Sequence, residues 1–574
     1  MTQPLYQRML ERIHHDPALF LFMVIFPVTW LASGLAPQAF AAVERFGAHL
    51  AKQKRLCILL LAITPIVLRI ALLWTTPIPF PRAHDEFSYL VAADTFSHGR
   101  ITNPPHAMQL YLDTFHVNQQ PTYMSMYPPA QGVVLAVGED LGNPWIGVLL
   151  AIAIMSGAIL WALQGWLPPR WALLGGILAV FHLAISTYWI NSYWGGEVAA
   201  AGGALVFGAL PRIMRSARTR DALILGLGII ILANSRPLEG LIFCVPVFVA
   251  LVVWLVRRQG RALQTAISRV VVPFSAVALA GLCFAGYYNF RLTGHPTLFP
   301  HDMNISTHYA VPLIAWRKTV APFHFRNPQF EAFFNHWWPT HSWPGGRPDS
   351  FMHIARALSL DVLKFAWFYL YPELLIAAVA IPWILRDRRM RFPIAQVLFC
   401  FAGFLLVAWF MPHYAAPLTA TTFLFIVQGL RHLRQWHFHQ YFSGINLSRA
   451  AVVSTLLLSP IPDKNINSPH SVLEYRQRIT ARLRAMPGED LIIVHYSADH
   501  DPNTEWVYNA ADVDHAKIVW SREIPGVSLQ PLLSYFHDRH VWILNADGTP
   551  PTLSSYTPPT DQSSIPAPPG PDHP

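Results

Sequence analysis

The run LCILLLAITPIVLRIALLWT, residues Leu56–Thr75, is apolar along nearly its whole length. As a helix rising about 1.5 Å per residue it crosses roughly 30 Å of hydrocarbon. Runs of the same kind recur at Trp145–Leu163 and Pro393–Phe410. The 574-residue chain is 53% hydrophobic and 13% charged, with mean hydropathy +0.33. Soluble domains carry about 25% charged residues. Composition and run length therefore predict an all-α polytopic membrane bundle of about 11–12 transmembrane helices. The spans are expected near 18–36, 56–75, 145–164, 171–189, 194–211, 222–234, 238–255, 270–289, 361–385, 393–411, 415–430 and 447–461.

The net charge of +9 comes from short basic clusters between spans, and is read as loop asymmetry rather than nucleic-acid binding. Lys52/Lys54/Arg55, Arg212/Arg215/Arg218/Arg220, Arg257/Arg258/Arg261, Arg386/Arg388/Arg389/Arg391 and Arg431/Arg434 all fall on one side of the map. The positive-inside rule makes that side cytoplasmic. Loops 76–144 and 290–360, and everything after 462, then lie outside. Residues 19–41 have the look of a signal peptide, because an apolar run ends in Ala39-Phe40-Ala41. Cleavage there would invert every later loop, so an uncleaved segment is the favoured reading. Cys57, Cys244, Cys283 and Cys400 all fall within expected spans, which suggests neither a disulfide framework nor a zinc site.

The C-terminal stretch changes character. A helix is expected at Val472–Met486 and strands at Leu491–Tyr496, Ala516–Ser521 and His540–Asn545, with a helix near Leu529–His537. Residues 462–548 thus read as a small extramembrane α/β domain. Residues 549–574 read as a disordered Pro-rich tail. Asp499-His500-Asp501-Pro502 has the residue types of a metal cluster, but its place after a strand and before Pro favours a turn.

Polar residues gather at the outer ends of the spans. The foremost are Asp85 and Glu86, adjacent acids at the head of the first long loop. A bundle does not need them for folding. A carboxylate at the bilayer edge is partly desolvated, which raises its basicity and suits a general base. The plainer reading of Asp85 is a cap on a surface helix over Glu86–Ser97. Glu197 and Glu239 sit at span boundaries, where ionisable groups are costly and usually paired or functional. Glu239 follows Arg236 by three residues, so an internal ion pair is one reading. A phosphate on Arg236, with Glu239 orienting it, is the other. Arg236 and Arg291 are basic residues on the sparsely basic side, and a guanidinium fork matches a phosphate. Snorkelling to lipid headgroups is the alternative for both. His413 lies between two spans. Tyr127, in Tyr127-Pro128-Pro129, and Trp194, in Trp194-Gly195-Gly196-Glu197, complete the set of candidate substrate contacts.

An Asp-Glu pair early in the first outer loop, a surface helix behind it, and a Tyr-Pro-Pro element before the next span resemble the type C glycosyltransferases. More narrowly, the pattern is similar to bacterial relatives of protein O-mannosyltransferases and lipid A aminoarabinose transferases. Ser192-Tyr193-Trp194-Gly195-Gly196, Tyr288-Asn289-Phe290-Arg291-Leu292-Thr293-Gly294 and Pro412-His413-Tyr414 share in it, over about residues 50–460. The resemblance implies a bacterial inner-membrane enzyme with its C-terminal domain in the periplasm. The donor would be a polyprenyl-phosphate-linked sugar, and the acceptor a hydroxyl on a lipid, glycan or protein. Asp85 would activate that hydroxyl, with Glu86 as its partner. Arg236, Arg291 and His413 would stabilise the lipid phosphate, and Tyr127, Trp194, Glu197 and Glu239 would contact substrate. No cofactor is required, although the chemistry leaves room for a divalent cation. Some relatives carry Lys before the Pro-Pro element, where this chain has Tyr127. That departure shifts the phosphate clamp onto the arginines. A secondary transporter and a non-catalytic lipid-linked-glycan assembly protein are the competing readings. Transporters favour midplane sites in repeated halves, and no repeat is visible.

Overall fold

The computed structural model describes residues 17–436, 443–461 and 472–557. Helix stands wherever a span is expected. Five helices are long and apolar enough to cross a membrane by length and composition: Ala18–Leu35, Pro144–Trp166, Glu197–Ser216, Pro237–Val256 and Gly260–Thr293. Pro169–Leu183, Leu375–Arg386 and Gly444–Leu458 are apolar but shorter. The expected span 361–385 is not one helix. Helix Phe351–Tyr369 stops before Pro372, and the chain resumes as a 3₁₀ turn at Leu375–Ala380 and a short helix at Ile381–Arg386. Proline lacks the N–H needed to continue the ladder and pushes its predecessor out of the helical region.

Pro144–Trp166 and Glu197–Ser216 pack against each other at the centre of the bundle. Lys54–Ala71 lies on the first of them and Thr219–Ala233 on the second. Small residues allow this: Ala199, Ala200, Ala204 and Ala209 are all buried, and without bulky side chains helix backbones approach closely. Outward-facing Leu241, Phe248 and Val249 of Pro237–Val256 remain exposed, as a lipid-facing surface requires. Ala39-Phe40-Ala41 sits inside helix Pro37–Leu50. Glu44 of that helix pairs with Arg434 and Arg449, each at 2.9 Å, so this segment is built into the bundle.

Between Ser97 and Pro129 the chain forms a two-stranded antiparallel ribbon, β1 (Val117–Asn118) with β2 (Met124–Ser125). Downstream, Phe330, Phe333, Phe334 and Trp338 pack with Phe115 and Tyr309 into a separate aromatic core. Trp189 is fully buried, Trp338 is mostly buried and Trp316 is exposed.

A second compact unit joins the C-terminal stretch to Ala107–Thr114, a piece of the first long loop. The boundary expected at 462 therefore misses a contribution from far upstream. Its sheet has the order β4–β3–β5–β6, from β3 (Asp490–His495), β4 (Ile518–Arg522), β5 (His540–Asn545) and β6 (Thr552–Ser555). β3 pairs parallel with β4 and β5, and β6 adds antiparallel to β5. β3 is buried along almost its whole length, which is why it reads as a continuous apolar run. Strand β6 falls inside the stretch expected to be a disordered tail; the rest of that expectation, 558–574, lies outside the described residues. Tyr111 donates to the Ser528 carbonyl at 2.7 Å, and Arg522 donates to the Asp113 carbonyl. Arg522 and Glu505 form a fully buried ion pair at 2.9 Å. Burial pushes Asp113 up to about 7. The Asp499–Pro502 region forms a turn: Asp501 accepts from the Asn503 backbone N–H at 3.0 Å, and His500 pairs with Asp547 at 2.7 Å.

Candidate active site

The site is assembled at the starts of helices. Asp85 lies in the first turn of His84–Ser97, and Tyr127 just precedes Pro129–Asp140. Trp194 and Glu197 open Glu197–Ser216. Arg236 is the residue before Pro237–Val256, and His413 sits in the 3₁₀ turn Pro412–Leu418 that leads into Thr419–Leu433. Helix N-termini carry partial positive charge, so this arrangement favours anions.

Ahead of Asp85 in the chain lies a fully buried arginine that the sequence did not single out. Arg69 donates to the carbonyls of Thr76 and Pro77 at 2.7 and 2.8 Å and to Asn191 at 3.0 Å. Its guanidinium also lies over the Trp145 ring. A buried cation is tolerated only when its donors are filled in this way. The clamp ties the end of Lys54–Ala71 to Thr76, Pro77 and Asn191.

Asp85 Oδ1 accepts from the Tyr127 hydroxyl and contacts His116 Nδ1 at 2.7 Å. Oδ2 carries no hydrogen bond among the described residues. Tyr127 stacks on Tyr89 with ring centroids 4.6 Å apart. Burial pushes Asp85 up, but His116 and Tyr127 more than offset it and hold the carboxyl well below its usual range. The expectation that partial desolvation would raise its basicity is therefore corrected. Two donors on one oxygen outweigh the lost water. Asp85 is also not the cap of its helix.

Glu86 takes that role. Its Oε1 accepts the backbone N–H groups of Arg82 and Ala83 at 2.9 and 3.1 Å, and Oε2 accepts that of Tyr193 at 2.9 Å. The pairing of Asp85 with Glu86 expected from sequence is thus not made, because Glu86 is spent on backbone. Successive helical residues point about 100° apart. Burial pushes Glu86 up to about 7, against those three donors. Since all three partners are donors, an amide cannot satisfy them. Glu86→Gln is expected to cost about 1–3 kcal/mol, read as a lowered thermal midpoint at pH 8. Its folded pKa lies above the unfolded value. The wild-type contribution is therefore greatest in acid and shrinks as pH rises through about 7. The deficit of the glutamine variant should therefore be larger at pH 5 than at pH 8, whereas a fixed Tm difference between pH 5 and 8 would count against this linkage.

Arg236 and His413 share the site. The Arg236 guanidinium lies 5.0 Å from the Tyr414 ring centroid and makes no ion pair with a carboxylate among the described residues. Glu239, mostly buried, acts on it electrostatically without touching it. His413 Nδ1 is 3.0 Å from the Tyr188 hydroxyl, and its ring packs on Trp194 at 5.0 Å. Burial and the Arg236 charge hold His413 well below the usual histidine range, hence neutral. Asp85 also acts on His413 and Tyr414, which puts acid and cation in one electrostatic neighbourhood. Glu197 is fully buried and accepts from Gln131 at 2.9 Å. The two glycines before it are steric necessities. A Cβ on Gly195 would stand 2.2 Å from Glu197 Oε2, and one on Gly196 2.5 Å from the Trp189 ring.

Arg291 is not brought to this cluster. It is exposed and donates to Tyr287 on its own helix at 2.8 Å, so the phosphate role expected for it is corrected to a surface one. Conversely, His116, Tyr309, Tyr89 and Tyr414 belong to the site and were not foreseen as functional. Among the described residues no three His, Cys, Asp or Glu side chains gather as a metal site.

No family model matches this sequence, and no curated protein matches it. Among solved structures, the chain is similar to ArnT from Cupriavidus metallidurans in the apo state, at 12% identity and TM-score 0.45, covering 83% of this chain and 92% of that one. The same protein bound to undecaprenyl phosphate gives 12% identity, TM-score 0.42, and 78% and 84% coverage. The Archaeoglobus fulgidus oligosaccharyltransferase in complex with Zn and sulfate gives 12%, TM-score 0.46, and 85% and 67%. Likeness this distant does not by itself identify an activity.

Proposed function

We propose that this protein is a type C membrane glycosyltransferase. It moves a hexosyl or pentosyl group from a polyprenyl-phosphate donor to a hydroxyl on a lipid, glycan or protein acceptor, on the periplasmic face of a bacterial inner membrane. The observation that carries the reading is one electrostatic neighbourhood of opposed charges, in which Asp85 and Arg236 act on the same groups, Tyr89, His413 and Tyr414. An ionised carboxylate, Asp85, whose Oδ2 has no hydrogen bond among the described residues, shares it with Arg236, which has no carboxylate partner among them. The acceptor O–H gives its proton to Oδ2. The freed electron pair of the acceptor oxygen forms the bond to the anomeric carbon. The bond from that carbon to the phosphate oxygen breaks, and its electron pair leaves with the lipid phosphate. Negative charge therefore grows on the phosphate, where Arg236 and the helix N-termini are preorganised to meet it. Neutral His413 can hydrogen-bond there without repelling Arg236. A low-basicity carboxylate suits this order of events, since a phosphate leaves readily and the acceptor needs a proton sink only as its bond forms.

The test is turnover by the purified full-length protein in phosphatidylethanolamine/phosphatidylglycerol vesicles. The donors are a panel of polyprenyl-phosphate hexoses and pentoses, and the readout is release of free polyprenyl phosphate. Release with at least one donor is expected. Release with none, from folded protein that binds polyprenyl phosphate, would favour the non-catalytic assembly role.

A further inference from the structure

His116 is held in a conformation that ordinary residues avoid. Its φ is +60°, in the left-handed region where a Cβ crowds the following carbonyl. The surroundings over-determine it. Its carbonyl accepts from Ser88 Oγ at 2.6 Å and from the Met126 N–H at 3.0 Å, which pins the entrance to β1. The side chain is equally constrained. Nδ1 lies 2.7 Å from Asp85 Oδ1 and 3.1 Å from the Tyr127 hydroxyl, and Nε2 lies 3.2 Å from the Tyr309 hydroxyl. Strain kept at such a place calls for a functional account.

We infer that His116 is a positioning residue for Asp85: it fixes the carboxylate so that Oδ2 alone faces the acceptor, and its own charge state sets how strongly that oxygen takes a proton. One arrangement satisfies every polar atom. Tyr127 O–H and His116 Nδ1–H both donate to Oδ1, and Tyr309 O–H donates to Nε2. This leaves the imidazole neutral and the carboxylate ionised. When Nε2 gains a proton, Tyr309 must turn its hydroxyl round to accept, and a full positive charge then sits against Oδ1. That charge cancels the field that draws the acceptor proton to Oδ2. The other titratable and charged groups facing His116 are few. His84 lies at a ring distance of 5.7 Å. His301, with Asp302 beside it, and His308 also feel its charge. Burial pushes His301 down to about 4. The inference rests on the transferase reading for its catalytic meaning, but the coupling of the two side chains stands apart from it.

Asparagine is the informative replacement. It tolerates left-handed backbone better than most residues, and its Nδ2 can still donate to Oδ1, yet it does not titrate. In the polyprenyl phosphate release assay, His116→Asn should keep KM and lose ~10-fold or less in kcat. The acidic limb of the wild-type kcat profile should disappear. His116→Phe should lose ~10²-fold in kcat with KM unchanged, the scale of a misplaced general base. An unaltered acidic limb in His116→Asn, or wild-type kcat in His116→Phe, overturns the proposal. A second measurement needs no turnover. Thermal midpoints of Asp85→Ala, His116→Phe and the double variant, each single change removing the contact between the two side chains, form a cycle in detergent. Coupled side chains give a double variant no less stable than the worse single one. Additive losses mean the pair does not interact and overturn the proposal, even if no sugar donor is ever turned over. If the cycle shows coupling but no donor in the panel reacts, only the transferase reading fails.

Discussion

Asp85→Asn is expected to slow polyprenyl phosphate release by ~10²-fold or more while shifting the thermal midpoint by only a few degrees. The separation of the two effects follows from geometry. Asp85 does not cap its helix, because the orphan N–H groups of Arg82 and Ala83 are taken by Glu86. An asparagine of the same size can keep its Oδ1 on Tyr127 and His116 and so hold the hairpin ribbon in place. It cannot accept a proton at the position of Oδ2, because a neutral amide nitrogen has no basicity to offer. The variant should still bind the lipid phosphate product, since Arg236 and His413 are untouched. Undiminished release would remove Asp85 as the proton acceptor. Loss of binding along with turnover would instead mean that its charge is needed to assemble the pocket.

The contrast between Asp85 and Glu86 shows where sequence reasoning reaches its end. Adjacent acids look equivalent in a string of letters, but on a helix they diverge: Asp85 meets Tyr127 and His116, and Glu86 meets backbone N–H groups. Residues marked by Pro, Gly or a span boundary were legible: Tyr127, Trp194, Glu197, Arg236, Glu239 and His413 each sit where a helix begins, and helix starts carry sequence signatures. The expectation for Arg291 failed because it rested on sidedness alone. A cation can be at the right depth and still face outward on its own helix. His116 and Tyr309 were illegible for a different reason. Both lie in long loops without periodicity, where His116-Val117-Asn118 gives no hint of a left-handed residue, and they meet Asp85 only through the tertiary fold. Arg69 was hidden inside an apolar run, where its charge is filled by carbonyls that no local pattern predicts. The fold class, by contrast, followed from run length and composition. The α/β character of the C-terminal stretch followed from its alternation of strand and helix patterns. The part that escaped, Ala107–Thr114, is a tertiary insertion with no local signal.

Arg236→Ala should have the second large effect, lowering kcat/KM by about 10²-fold or more, through both a higher KM and a lower kcat. An interaction with phosphate exists before and during the reaction. Its loss therefore weakens donor binding, and it costs more in the transition state because charge has grown on the leaving oxygen. The position makes a structural explanation easy to separate. Arg236 makes no ion pair among the described residues, so its removal strands no carboxylate in direct contact, although Glu239 loses a favourable opposite charge. Folding should survive. Arg236→Lys should recover part of the activity, because a point charge replaces the fork but not its paired hydrogen bonds. Arg291→Ala serves as the matched control, an exposed arginine bonded, among the described residues, only to Tyr287, and should leave both parameters unchanged. If the two alanine variants behave alike, Arg236 does not address the phosphate. A fall in kcat with KM unchanged would mean that the donor phosphate reaches Arg236 only in the transition state.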